Sequence, residues 1–113
     1  MIQDKVYTSL MIAKDCTRLS AKKCGFTLQS LREDNRRRAY ADMRSMLMHM
    51  LRNTTALSYS DIGYIFHRDH SCVIHNVKKV DDLLRTDKGF KIRYDQIRKD
   101  FYKSLKILTN EHI

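Results

Sequence analysis

Apolar side chains recur every three or four residues through most of this chain, the period of a helix with one buried face. Ile2, Val6, Leu10, Ala13 and Thr17 share one face of a long amphipathic helix expected over residues 2–23, with Met11 and Cys16 widening the stripe. Gly25, following Cys24, is the expected stop. Thr27 then caps a short helix carrying Leu28 and Leu31. Met43, Met46, Leu47, Met50 and Leu51 mark the core side of a helix over residues 39–53, methionine being a frequent filler of irregular cores. Thr86-Asp87-Lys88-Gly89 reads as a break. Beyond it Phe90, Tyr94, Ile97, Phe101, Leu105 and Leu108 define a closing amphipathic helix.

Between the methionine-rich helix and that break lies Ser58–Val80, which reads as helix, tight turn, helix. Ser58 is a good N-cap, and Asp61 three residues later can answer it in a variant of the capping box. Ile62, Ile65 and Phe66 fall on one face. Gly63 sits mid-helix, at a cost of about 1 kcal/mol against alanine, which implies the close approach of another helix. His67-Arg68 is the connection, and Asp69 is the next N-cap. Val73, Val77, Val80 and Leu84 then form a buried stripe. The opposite face carries Ser71, His75, Lys78 and Lys79, with His70 at the helix tip. An apolar back with a short-polar, basic front suits a helix that enters the major groove of DNA.

Composition narrows the picture. With 113 residues, no proline and three glycines, the chain reads as one all-α domain, residues 1–113. The net charge of +9 points to a polyanionic partner. No apolar run approaches the roughly 18 residues of a membrane span, and Ile2-Gln3-Asp4-Lys5 lacks the apolar core of a signal peptide. Cys16, Cys24 and Cys72 are odd in number and lack metal or redox spacing, as suits a reducing cytoplasm. His67, His70, Cys72 and His75 are zinc-compatible types. On a helix, however, residues 72 and 75 point about 200° and 140° away from His70, so they cannot converge. A Cys–His nucleophile fails on the same geometry. The chain is therefore expected to be neither an enzyme nor a cofactor binder.

At Ile62-Gly63, Phe66, Arg68-Asp69-His70-Ser71-Cys72, Val73-Ile74, His75 and Lys78-Lys79 the sequence closely resembles the DNA-binding C-terminal domain of DnaA, the bacterial replication initiator. The likeness is good over about Gly25 to Val80. It divides the chain into an N-terminal helix (1–24), a core (25–85) and a closing helix (86–113). Departures are the single His67 where the family has a glycine pair, Cys72 in place of a second hydroxyl, Asn76 in place of a small residue, and Asp42-Met43 in place of Arg-Pro. The resemblance implies a Trp-repressor-like fold of about six helices and sequence-specific binding of double-stranded DNA.

Asp69, His70, Ser71 and His75 are then the base-reading candidates. Arg36, Arg37, Arg38, Arg44, Arg52, Ser58, Tyr59, Arg68 and Lys78 are candidates for the backbone or minor groove. Among these the resemblance places Arg36 and Arg38 in a basic loop that supplies the minor groove, and Arg52 at a phosphate. The lysines and Arg18 of the first helix read as a solvated face. The chain holds no glycine-rich phosphate loop, so it is expected to stand apart from the initiator's ATP-binding module. A monomer associated with the nucleoid, in contact with other replication or regulatory proteins, completes the expectation. The competing reading is a protein-interaction module that has kept the fold and lost base reading. Cys72, Asn76 and the shortened turn favour it.

Overall fold

The computed structural model describes residues 5–111 and is all-α, with six helices: α1 Leu10–Lys23, α2 Leu28–Arg32, α3 Arg38–Thr54, α4 Tyr59–Phe66, α5 His70–Thr86 and α6 Lys88–Glu111. α3 is the central element. It packs on α5, α2, α4, α6 and α1, and Met46, Leu47, Met48, Met50 and Leu51 are all buried. The methionine stripe is core, as its spacing implies.

The first helix starts later than its apolar period suggests. Ser9 takes the N-cap, its hydroxyl accepting from the Ile12 amide at 3.1 Å, so the helix begins at Leu10. Val6 lies in an extended segment whose amide donates to the Thr54 carbonyl at 2.6 Å, forming an isolated bridge with Thr55. An alternating segment that ends on a capping serine is held better by these bonds than by a helix. Ile2 lies outside the described residues. Met11, expected to widen the buried stripe, is 74% exposed, whereas Cys16 is fully buried. Burial pushes the Cys16 thiol up to about 12. Gly25 ends the helix as expected. At φ +87° it lets its own amide reach Lys22 O and the Phe26 amide reach Ala21 O, closing a Schellman motif.

The break before the last helix is a single residue. Asp87 separates α5 from α6, and its carboxylate accepts the Phe90 amide at 3.0 Å. Gly89 therefore lies inside the first turn of α6, since an aspartate cap needs no glycine. Phe90, Tyr94, Phe101 and Leu105 are buried, and Ile97 and Leu108 are half-buried.

One polar network crosses the core. His49 of α3 is buried, its Nδ1 lying 2.5 Å from the Tyr94 hydroxyl of α6 and its Nε2 2.6 Å from Asp81 Oδ1 of α5. Burial pushes the Tyr94 phenol well above its ordinary range. The three partners join the helices behind the α4–α5 motif, and each has its hydrogen-bonding group satisfied. Nothing in the hydrophobic period singles out His49, because its neighbours on α3 form a continuous buried run.

Candidate nucleic-acid interface

The helix-turn-helix is α4, His67–Asp69 and α5. Its entrance is a complete capping box: Ser58 Oγ accepts the Asp61 amide at 3.0 Å, and Asp61 Oδ2 accepts the Ser58 amide at 3.2 Å. Ile62, Ile65 and Phe66 are fully buried. His67 is left-handed (φ 56°, ψ 44°) and does the work that a glycine does in such turns. Its amide donates to Tyr64 O, and the Arg68 amide donates to Gly63 O at 2.8 Å. The shortened turn is thus a closed Schellman turn, with a histidine accepting the backbone strain.

Gly63 does mark a close approach, but not of another helix. A Cβ there would lie 2.4 Å from the carbonyl oxygen of Arg68, so the chain's own turn occupies the space. Only glycine admits this turn directly beneath α4.

On α5, Val73, Val77 and Val80 face the core, and Ser71, His75, Lys78 and Lys79 are exposed. At the tip, Asp69 and His70 are also exposed. Asp69 occupies the cap position, yet its side chain makes no cap hydrogen bond. It turns instead to its neighbours: Ser71 Oγ donates to Oδ2 at 2.5 Å, and His70 Nδ1 lies 3.3 Å from Oδ1. The Ser71 hydroxyl, donating to the carboxylate, holds the Asp69 carboxyl below its ordinary value, against a smaller opposing effect of desolvation. Asp69, His70 and Ser71 are therefore one preorganised cluster. His75 stands one turn further along the same exposed side.

Cys72 and Asn76, the departures on this helix, point elsewhere. Asn76 accepts from Ser45 Oγ at 2.6 Å and donates to Cys72 O at 2.8 Å, with Cys72 Sγ at 3.4 Å. Both belong to the seam between α3 and α5.

The arginines divide into two groups. Arg36 and Arg37 are exposed on the 33–37 loop, and neither side chain has a partner among the described residues. Arg38 is also exposed and lies 3.7 Å from Asp42. By contrast, Arg44 does not leave α3 on a free polar face. Its Nε donates to Leu31 O at 2.7 Å, and Nη2 donates to Glu33 O at 3.1 Å and Asn35 O at 3.5 Å. Arg68 Nη2 donates to the same Glu33 carbonyl at 2.9 Å, and its buried Nε has no protein partner. Arg32, which the sequence pattern did not single out, donates to Ile65 O at 2.9 Å. Arg52 is intermediate: Nη1 reaches Leu57 O at 3.3 Å, and its guanidinium carbon lies 4.0 Å from the Tyr59 ring centroid. It steadies the segment that presents Ser58 and Tyr59. Burial, followed by the like charge of Arg68, lowers the Arg44 pKa.

The geometry therefore brings together an exposed polar helix tip, a capped helix start at Ser58-Tyr59, and a loop carrying free guanidiniums. Arg44 and Arg68 fasten that loop to the turn. No helix among the described residues is long and apolar enough to cross a membrane.

Comparison with known proteins points to one family of helix-turn-helix domains. The family described as the bacterial dnaA protein helix-turn-helix matches residues 13–80. The chromosomal replication initiator protein DnaA of Geobacter metallireducens is 41% identical over 70 residues, 61% of this chain and 16% of that protein. Its namesake from Geobacter sulfurreducens is 35% identical over 80 residues, 70% of this chain and 18% of that protein. The DnaA of Rickettsia africae is 28% identical over 102 residues, 89% of this chain, and here too the match covers only 20% of the relative.

Proposed function

This chain belongs to the bacterial DnaA helix-turn-helix family, and on that premise we propose that it binds double-stranded DNA and reads its sequence from the major groove with α5. The observation that carries the reading is the Asp69–His70–Ser71 cluster, exposed at the tip of a helix whose back is locked in the core, with Ser71 hydrogen-bonded to Asp69 and His70 3.3 Å from the same carboxylate. Aspartate accepts from cytosine N4, a serine hydroxyl serves either role, and an imidazole can donate or accept, so the cluster offers a directional pattern to base edges.

Positioning falls to groups that meet phosphate without regard to sequence. The start of α4 presents free backbone N–H groups and the Ser58 and Tyr59 side chains, an arrangement that favours an anion. Lys78, Arg37 from the loop and Arg38 at the start of α3 supply charge. Arg36 is assigned to the minor groove, where a narrow A·T-rich segment has the enhanced negative potential that attracts a guanidinium. Arg44 and Arg68 act through the loop they hold. Cys72 and Asn76 turn into the α3–α5 seam and His67 closes the turn, so these departures leave the exposed side of α5 to Ser71 and His75, which supports DNA binding over the interaction-module alternative.

Duplex titration at several salt concentrations tests the proposal. Neutralising about five phosphates implies a log–log slope of about −4 to −5, at about −0.9 per phosphate. A flat salt response, or no binding at low salt, contradicts it.

A further inference from the structure

The charge of this protein is not where its helix-turn-helix is. Residues 24–87, which contain α2 to α5, hold ten cations and eight anions, a net charge of +2. Helix α1 holds four cations and one anion, and α6 holds seven cations and three anions, so these two helices together carry +7. They pack against each other in opposite directions: Cys16 of α1 donates to Phe101 O at 3.5 Å, and Thr109 donates to Thr8, just before α1, at 3.0 Å.

On this pair Arg18, Lys22, Lys99, Lys103 and Lys106 are exposed, and none has a carboxylate partner among the described residues. Lys106 instead lies 5.6 Å from the Tyr102 ring centroid. Lys99, Lys103 and Lys106 fall on one face of α6, rising about 10 Å at 1.5 Å per residue. Arg18 and Lys22 are one turn apart on α1. Helical spacing puts the three lysines opposite Phe90, Tyr94, Phe101 and Leu105, which are buried in the core.

We infer that the solvent face of the α1–α6 pair is a second phosphate-binding surface, which engages duplex DNA outside the segment read by α5. The inference rests on the proposed DNA binding for its biological setting, but not for its chemistry. Like-charged cations held without partners cost self-repulsion, which a polyanion relieves. DNA is favoured over a lipid surface because the apolar faces of both helices are consumed by the core. On the two helices the exposed large apolar side chains are Met11, Ile92 and Ile107, which gives a bilayer little to take up. An acidic protein would ordinarily need a buried aromatic or apolar anchor within the patch, whereas phosphates need cations alone. The face carries charge without directional groups, so it should bind without base preference.

The test uses the full chain and the variant Lys99→Gln/Lys103→Gln/Lys106→Gln, with Arg18→Gln/Lys22→Gln as an independent second variant. Each is titrated against a short duplex just covering the read site and against the same site with long flanks. A second, labelled duplex is added to the bound short one to separate flank contact from bridging. For the triple variant, the salt slope on the flanked duplex should fall by roughly 2 to 3 units, at about 0.9 per phosphate lost, with the short duplex unaffected. The double variant should lose roughly 1 to 2 units on the flanked duplex only. Loss of capture of the added duplex would also support the inference and assign the surface to bridging. Unchanged slopes on both duplexes overturn it. Equal losses on both also overturn it, because the lysines would then belong to the reading interface. Loss confined to vesicles of anionic phospholipid overturns it in favour of a membrane. If the wild-type chain shows no sequence preference while the flank-dependent loss persists, base reading fails and this surface stands.

Discussion

Arg36 and Arg68 belong to one loop-and-turn assembly, yet the fold treats them oppositely. Arg36 and its neighbour Arg37 project from the 33–37 loop with no partner among the described residues, while Arg68, Arg44 and Arg32 have donors taken up by Glu33, Leu31 and Ile65 carbonyls. The carbonyls explain the difference. Leu31 lies in the last turn of α2 and Ile65 in the last turn of α4, where carbonyls lack an intrahelical partner. A guanidinium fork within reach satisfies them and ties one helix end to its neighbour. An arginine out of reach of such an end stays available to an external anion. The residue type is the same, and proximity to an orphan carbonyl decides its role.

The comparison breaks first if the turn is disturbed. Gly63→Ala sets a methyl against the Arg68 carbonyl at 2.4 Å, and backbone cannot swing away as a side chain can. We expect a loss of about 3 kcal/mol in urea unfolding, at the upper end for overpacking. Binding to every duplex should weaken together, because α4 and α5 shift relative to each other. A neutral Gly63→Ala would mean that the turn is not the rigid base described here.

Arg44→Ala should come next, at about 2 kcal/mol, since it removes charged hydrogen bonds to Leu31 and Glu33 carbonyls. Arg44→Lys should recover little, as an ammonium cannot reproduce the fork. Unfolding of both variants, compared with Arg37→Ala, checks the division: Arg37→Ala should leave stability within about 0.5 kcal/mol of wild type. Equal destabilisation by the two alanine variants would erase the distinction between bracing and projecting arginines.

The smallest expected effect is the most selective. Arg36→Ala should lose about 1 kcal/mol of affinity on A·T-flanked duplexes and less on G·C-flanked ones, with no change in unfolding. Arg36→Lys should recover part, because an ammonium is costlier to strip of water. Equal losses for Arg36→Ala and Arg37→Ala on both flanks would make the loop a diffuse phosphate patch.

Most of the fold was legible because apolar period reports helices directly. The methionine-rich stripe up to Leu51 faces the core, and so do Val73, Val77 and Val80 of the next and Phe90, Tyr94, Phe101 and Leu105 of the last, while Leu84, Ile97 and Leu108 of those stripes are half-buried. Boundaries set by single polar atoms were not legible in the same way. Ser9 truncates α1 and Asp87 shortens the break before α6, each through one amide bond that competes with the period. At the interface, spacing placed Ser71 and His75 on the open side of α5. It could not show that Asp69 turns toward Ser71 instead of capping, that Asn76 turns inward to Ser45, or that Arg44 folds back onto α2. Those choices depend on partners 2 to 31 residues away in sequence. His49 was missed for the same reason, its partners Asp81 and Tyr94 lying on two other helices.

Base reading by the α5 tip is tested most directly by selection of binding sites from a random duplex library, with wild-type protein and Ser71→Ala side by side. The wild type should enrich one short motif. The Ser71→Ala variant should lose discrimination at one position of that motif, by about 1–3 kcal/mol, while its salt slope and unfolding stay unchanged. Duplex binding with no enriched motif, or a variant whose motif is identical to that of the wild type, would contradict the account.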